Sequence, residues 1–309
     1  MSIDRRLLAL LALSLCACRS TADKNAEEVK INKDPKPIQQ LVEDTNKPES
    51  IGKFLTDLDG EIRAWTKLMM TASTPEERQN ALRLDRILST RAHARRSDLI
   101  EQLQAGPTSN RVIAATALGF THEVEAQGPL LAALQDPANE VIGNALLGLM
   151  ILGLRDTPLD RICPLLESSE DTWVRANAAQ CIAALVQVGA RSDCARTVAS
   201  LRLTDPEPGV RSQCALILAA SGDVVSLPIL IDMLHDATPL VSAAAARSVA
   251  WLGHQNPELK GRAARGLVAA LDRSTTAVRG PIVRALAELS GVNYGANTKE
   301  WEEWSRKLP

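Results

Sequence analysis

Residues 205–218 read Asp-Pro-Glu-Pro-Gly-Val-Arg-Ser-Gln-Cys-Ala-Leu-Ile-Leu, and the architecture follows from their pattern. The Asp-Pro and Pro-Gly pairs make a turn that opens a helix, after which Val210, Cys214, Ile217 and Leu218 fall at offsets 0, 4, 7 and 8. Those offsets form one apolar helix face. The same frame recurs on Val112, Val141, Val174, Val241 and Val278, and the six anchors are spaced by 29, 33, 36, 31 and 37 residues. A large apolar residue stands at offset 8 in every copy: Phe120, Leu149, Ile182, Leu218, Val249 and Leu286. Offset 4 is mostly small (Thr116, Ala145, Ala178, Cys214, Ala245, Ile282), and offset 7 carries Gly119, Gly148, Cys181, Ile217, Ser248 and Ala285. Small residues let a neighbouring helix approach while the large one fills the gap between turns. Ahead of each turn lies another amphipathic stretch, such as GPLLAALQD, SLPILIDMLHD and RAARGLVAALD. The unit is helix, tight turn, helix. One such pair cannot bury its apolar face alone, so stacked pairs sharing a continuous core are expected, an all-α solenoid.

Composition agrees with that reading. The chain has 309 residues, 45% hydrophobic and only 3% aromatic, so the core must be built from Leu, Ala, Val and Ile, which favours helices. Charged residues are 23% with a net charge of −2, which supplies no electrostatic reason to hold a polyanion and argues against nucleic acid. Four His and the absence of HExxH, GxSxG, CxxC and GxxxxGK[ST] leave few residues of the kind that usually carry catalysis, so no enzymatic activity, metal or cofactor is expected.

The segments DPEPGVRSQCALIL and EDTWVRANAAQCIAAL resemble HEAT repeats, especially the short bacterial variety related to phycobilisome-lyase repeats, over roughly residues 95 to 290. The resemblance implies a right-handed superhelix of about six HEAT-like pairs with helical caps. It also implies a ladder between repeats, made by an Asp before the second helix and an Arg six residues later. That pair is complete only as Asp205 and Arg211; Arg175 and Arg279 keep the Arg with a displaced acid, and Ile142 and Ser242 replace it. Residues 51–105 are expected to form an N-terminal cap, in which Thr74-Pro75-Glu76-Glu77 is a helix start with a capping-box Glu. The solenoid then spans 106–291. At the far end LSGVNYGANTKEWEEW resembles a terminal motif of some bacterial HEAT proteins, and residues 292–309 are expected to place Trp301 and Trp304 over the last repeat's open edge.

The N-terminus carries an address. A basic opening, MSIDRR, precedes a nine-residue apolar run, Leu7 to Leu15, which would rise only about 14 Å as a helix and so cannot span a bilayer. The following Leu15-Cys16-Ala17-Cys18 resembles the lipobox of bacterial lipoprotein precursors. That resemblance implies a signal peptide of residues 1–17, cleavage before Cys18 and a covalent diacylglyceryl lipid on its thiol. Arg19 rather than Asp after Cys18 implies sorting to the outer membrane, by likeness to enterobacterial lipoproteins. Residues 18–50 are polar and Pro-containing, a tether whose r.m.s. reach of ~30 Å would hold the folded part clear of the headgroups.

Four cysteines then remain. Cys181 and Cys214 occupy the small-residue slots and read as core; Cys163 and Cys194 lie near first-helix starts of adjacent units and are the first pair to test for a disulfide. His93, His122, His235 and His254 are scattered without a recurring partner and read as surface or helix-end residues. Arg78, Arg83, Arg86, Arg91, Arg95 and Arg96 cluster around the single acid Asp85 and read as a solvated helix face.

The leading functional expectation is a lipid-anchored envelope scaffold binding a protein or peptide partner through the solenoid. Its alternatives are a structural or pilot-like subunit of an envelope complex and, suggested by the resemblance, a bilin-lyase-like enzyme. On the second helices, offset 6 points most nearly away from the apolar stripe and offset 3 lies at its margin. Asn144, Asn177 and Gln213 at offset 3, with Gln180, Arg247 and Arg284 at offset 6, are therefore the candidate partner-binding residues.

Overall fold

The computed structural model describes residues 49–309, so the leader, Cys18 and nearly all of the tether lie outside the described residues. Within them every regular element is helical. Helices α1 (Ile51–Thr71) and α2 (Pro75–Ala94) form a hairpin. Ser50 caps the first through Lys53 N–H, and Thr74 with Glu77 makes the expected capping box on the second. The Glu77 carboxylate accepts from the backbone N–H groups of Thr74 and Ser73, which pulls its pKa down to about 2.

Six helix pairs follow. They are α3 (Arg96–Ala105) with α4 (Thr108–Gly119), α5 (Gln127–Ala133) with α6 (Asn139–Leu152), and α7 (Cys163–Ser168) with α8 (Thr172–Gln187). Then come α9 (Asp193–Leu201) with α10 (Pro208–Ala220), α11 (Leu227–Asp232) with α12 (Pro239–Gln255), and α13 (Lys260–Asp272) with α14 (Thr276–Ser290). The second helices pack in one unbroken row from α4 through α6, α8, α10 and α12 to α14. This is the α-solenoid that the valine frame predicts. Helix α3, which the sequence groups with the N-terminal cap, packs on α4 as the first helix of the first pair.

The frame holds for five anchors and slips at one. Val141, Val174, Val210, Val241 and Val278 are buried, as are Leu149, Ile182, Leu218, Val249 and Leu286 eight residues on. Val112 is only half-buried. Neighbouring second helices meet offset 7 against offset 5: Ser248 Oγ donates to Ala215 O at 2.9 Å, and a Cβ on Gly148 would stand 2.3 Å from Ala115 O. Ala115 is therefore at offset 5, and the first anchor is Asn110. The polar Asn110 hides the register, while Phe120 is buried because it meets Trp65 of α1 edge-on, with ring centroids 5.0 Å apart.

With the register corrected, the ladder becomes legible. Arg111 donates to both carboxylate oxygens of Asp136 at 2.8 and 3.0 Å, and Arg211 does the same to Asp236 at 3.0 Å. Arg175 donates to Asp205 at 3.1 Å. Each Arg reaches forward to the next repeat's acid and ties back to carbonyls of its own turn, as Arg211 does to Asp205 O at 2.9 Å. Asp205 and Arg211 are thus not a carboxylate–guanidinium pair. Every ladder Asp also accepts the N–H two residues on, from Ala138, Glu207 and Thr238, so one side chain shapes the turn and joins the repeats.

Helix α15 (Thr298–Arg306) packs on α13 and closes the far end. Trp301 is fully buried, donates from Nε1 to Gly295 O at 2.8 Å, and meets Tyr294 and Trp304 edge-on. No helix of the described residues is long and apolar enough to cross a membrane.

Candidate functional site

A second helix inside the row touches two second helices and its own first helix. Its free face is therefore narrower than a stripe inferred from one contact allows. Burial of the predicted residues follows this geometry. Gln180 on α8 and Gln213 on α10 are each only 4% exposed, Arg247 on α12 is half-buried, and Arg284 on the last second helix is exposed. The expectation that offset 6 points outward is corrected accordingly for the interior pairs and kept only at the end of the row, and the expectation for offset 3 is corrected on α10, where Gln213 is buried.

The amide row exists, but two of its members are spent locally. Asn144 donates to Glu140 O at 2.7 Å and accepts from Thr116 Oγ1 at 2.8 Å, while Asn177 donates to Trp173 O at 2.8 Å. Burial pulls the Arg247 guanidinium below its usual pKa, against the opposing charge of Glu288 on α14. Two aromatic residues share this surface and were not among the sequence candidates. Trp173 lies across Gly143 of α6, where a Cβ would stand 1.9 Å from the indole, and Trp251 is 48% exposed on α12. Their signal was present: offsets −1, 3, 6 and 10 lie along one helix face, so Trp173 belongs with Asn177 and Trp251 with Arg247.

The remaining candidates separate cleanly. Cys163 and Cys194 form a disulfide with Cα atoms 6.2 Å apart, joining the starts of α7 and α9, while Cys181 and Cys214 are free and buried. Burial pushes both free thiols up, which keeps them protonated and unreactive. All four histidines are exposed, with His93 bonded to Glu123 at 2.9 Å. Of the arginine cluster, Arg78 binds Ser73 O, Arg91 pairs with Glu61, Arg95 with Asp98 and Arg96 with Glu123. Arg91 and Arg95 also stack over Phe54. Arg78, Arg83 and Arg86 are exposed and keep the character of a solvated face.

Residues 97–183 and 159–250 match the family of HEAT repeats. No curated protein matches the chain. Among solved structures, an engineered protein is 18% identical, covering 63% of this chain and 96% of its own, with a TM-score of 0.47. A second engineered protein, also 18% identical, covers 87% of this chain and 77% of its own at a TM-score of 0.46. The complex of CpcE and CpcF of phycocyanin lyase from Nostoc sp. PCC7120 is 21% identical, covering 68% of this chain and 93% of its own, with a TM-score of 0.43. The stretch from residue 97 to residue 250, inside the longer row of helix pairs, is an array of HEAT repeats.

Proposed function

We propose that the chain is a lipid-anchored scaffold that holds a protein or peptide at an envelope membrane, binding it along the second helices and acting without catalysis or a cofactor. One observation carries this reading: the second helices form a single row from α4 to α14, the extended surface by which solenoids hold partners. Two features support the export half. The chain opens with a signal-like segment ending at Cys18, and the Cys163–Cys194 disulfide suits an oxidising compartment. Lipid on Cys18 supplies the membrane contact, and Arg19 favours the outer membrane.

The test places a photo-crosslinking residue at Asn177, on the second-helix face, and separately at Arg196, exposed on first helix α9. In intact cells a partner should be captured from position 177 and not from position 196. Intact-protein mass spectrometry of the membrane fraction should show acyl chains on Cys18. Capture only from position 196 would overturn the face; a Cys18→Ser variant that still fractionates with membranes would overturn the anchor.

A further inference from the structure

At the junctions inside the row the rung of the ladder is either whole or wholly missing. Arg111, Arg175 and Arg211, each one residue after its anchor, meet Asp136, Asp205 and Asp236 in the turn of the next pair. Where that turn holds Ser169 or Arg273, the helix before it carries Ile142 or Ser242 in place of the Arg. Arg279 on α14 breaks the rule. It stands one residue after Val278, and its Nη2 donates to Ser274 O at 3.2 Å, as Arg211 ties back to its own turn. Among the described residues no helix pair follows it, and the exposed side chain makes no ion pair. The rest of that flank also has the make-up of an interior junction. Gly143, two residues after Val141, lies under the Trp173 ring of the next pair; Gly280, two after Val278, is exposed, and a Cβ there would have nothing within 4 Å. Glycine weakens a helix interior, and nothing in the fold packs into the space this one leaves. Val283 and Ala287 hold the places where α10 has Ala215 and Ala219, which α12 covers, yet they are only half-buried. Helix α15 leaves the flank open because it packs on α13. The terminal unit of a solenoid ordinarily turns a polar face outward, and this one does not.

We propose that this flank of α14 receives a helix of a partner protein, laid parallel to α14 as the next second helix of the row and opened by a turn that carries an aspartate. The aspartate takes the Arg279 guanidinium, a large side chain in the first turn fills the space over Gly280, and small residues along the partner helix pack on Val283 and Ala287. The interior junctions dictate this occupant, since they show what an Arg in this place meets and what a Gly in this place accommodates. A second copy of the chain does not supply it. The one acid of α14 is Glu288, whose charge acts on Arg247 of α12, so two such flanks face to face would bring arginines without a carboxylate. The leading pair of a second copy has Ala105 where the acid of the rung would stand, and α1 already packs on its α4. The proposal adds to the scaffold reading a seat at the end of the row, separate from the face at Asn177.

The experiment titrates the full chain, by fluorescence anisotropy, against a fluorescein-labelled peptide with the sequence of residues 236–255. In the fold this turn and helix bring Asp236 to Arg211 and carry Leu240 at the place where Trp173 stands on α8. A hydrocarbon staple joining positions 247 and 251, on the side away from the row, holds the peptide helical and removes most of the cost of ordering it. It should bind saturably with a Kd below about 1 mM. Arg279→Gln in the chain, or Asp236→Asn in the peptide, should weaken binding at least about fivefold, and the two together little more than either alone, the mark of a direct pair. Gly280→Leu enters open space in the free chain, so it should leave circular dichroism and melting unchanged while weakening the peptide at least about tenfold. No saturable binding below about 1 mM, losses from the Arg279 and Asp236 changes that simply add, or binding that Gly280→Leu leaves intact would each overturn the seat. A dimer in sedimentation that Gly280→Leu dissolves would give the flank to a second copy, and a crosslinker at Val283 that captures this chain's own residues before Glu49 would give it to that segment; either result overturns the partner helix. Capture of a partner from position 177 tests the scaffold reading separately, so that reading stands or falls on its own result.

Discussion

The junction between the third and fourth pairs and the junction between the second and third are built from the same helices in the same row, yet they are held differently. At the first, Arg175 reaches Asp205 across the junction, with side chains 10% and 0% exposed. At the second, position 142 is Ile instead of Arg, and position 169, where the partner acid would stand, is Ser. The fifth and sixth pairs repeat the pattern with Ser242 and Arg273. Where one half of the rung is missing, so is the other. A lone Arg or Asp at these sites would be a part-buried charge without a partner, costly enough to explain why the two halves are absent together. At the second junction other contacts stand in: Trp173 lies on Gly143, and Asn139 donates to Asp171 at 2.7 Å.

Asp205 is where the two junctions should part most widely. Replacing it by Ala leaves the Arg175 guanidinium without its carboxylate and should cost about 3–5 kcal/mol in urea unfolding. Adding Arg175→Met should recover a good part of that loss, since removing both charges removes the unpaired one. Asp136→Ala, at a rung more open to water, should cost less. Equal costs at the two sites would mean that the depth of the rung does not matter.

Much of this was legible in the sequence, and the unread parts share a cause. The period, the helix–turn–helix unit, the buried residues at offset 8 and the capping box that starts α2 follow from apolar spacing and capping residues, which are local signals, whereas the placing of α3 with the N-terminal cap did not survive its packing on α4. The ladder depends on which residue faces which across a junction, and a two-residue slip at Val112 put Arg111 out of register, hiding its bond to Asp136. The same limit applied to the binding face. Offsets alone describe an isolated helix, whereas Gln180 and Gln213 are buried within a row in which each helix has neighbours on both sides. Trp173 and Trp251 were missed because the face was read at two offsets instead of four.

Gly143 probes the second junction directly. A methyl group there would collide with the Trp173 ring, so Gly143→Ala should displace the indole at a cost of about 1–3 kcal/mol and shift its fluorescence. Unaltered emission and stability would show that the indole is not what holds this junction. Asp171 tests the rest of it. Its carboxylate caps α8 by accepting from Trp173 N–H at 2.8 Å and Val174 N–H at 3.1 Å, and it holds Asn139. Asp171→Ala should therefore cost about 1 kcal/mol, the value of a helix cap; a loss as large as that at Asp205 would mean the two junctions are equally dependent on charge.

The smallest effect is the share of the pH dependence that belongs to the rungs. Burial acts to raise the carboxyls of Asp136 and Asp236, but the bonds from Arg111 and Arg211, together with those from the backbone N–H groups of Ala138 and Thr238, outweigh it and leave both below the ordinary carboxylate value. A carboxyl depressed in the folded state adds stability that is fully present above its unfolded pKa of about 3.9 and is lost as pH falls through the folded value. The variant Asp136→Asn with Asp236→Asn keeps a side-chain oxygen for each turn but has no carboxyl to titrate. Its urea midpoint should lie below that of the native chain at neutral pH, and the gap should narrow as the pH is lowered from about 5 toward about 3. Both rungs lie partly in solvent, where screening trims such pairs, so the change is expected to be small and to shrink further in high salt. A gap that stays constant over that pH range would assign the stabilisation to the hydrogen bonds an amide can also make, and would remove the charge from the account of the ladder.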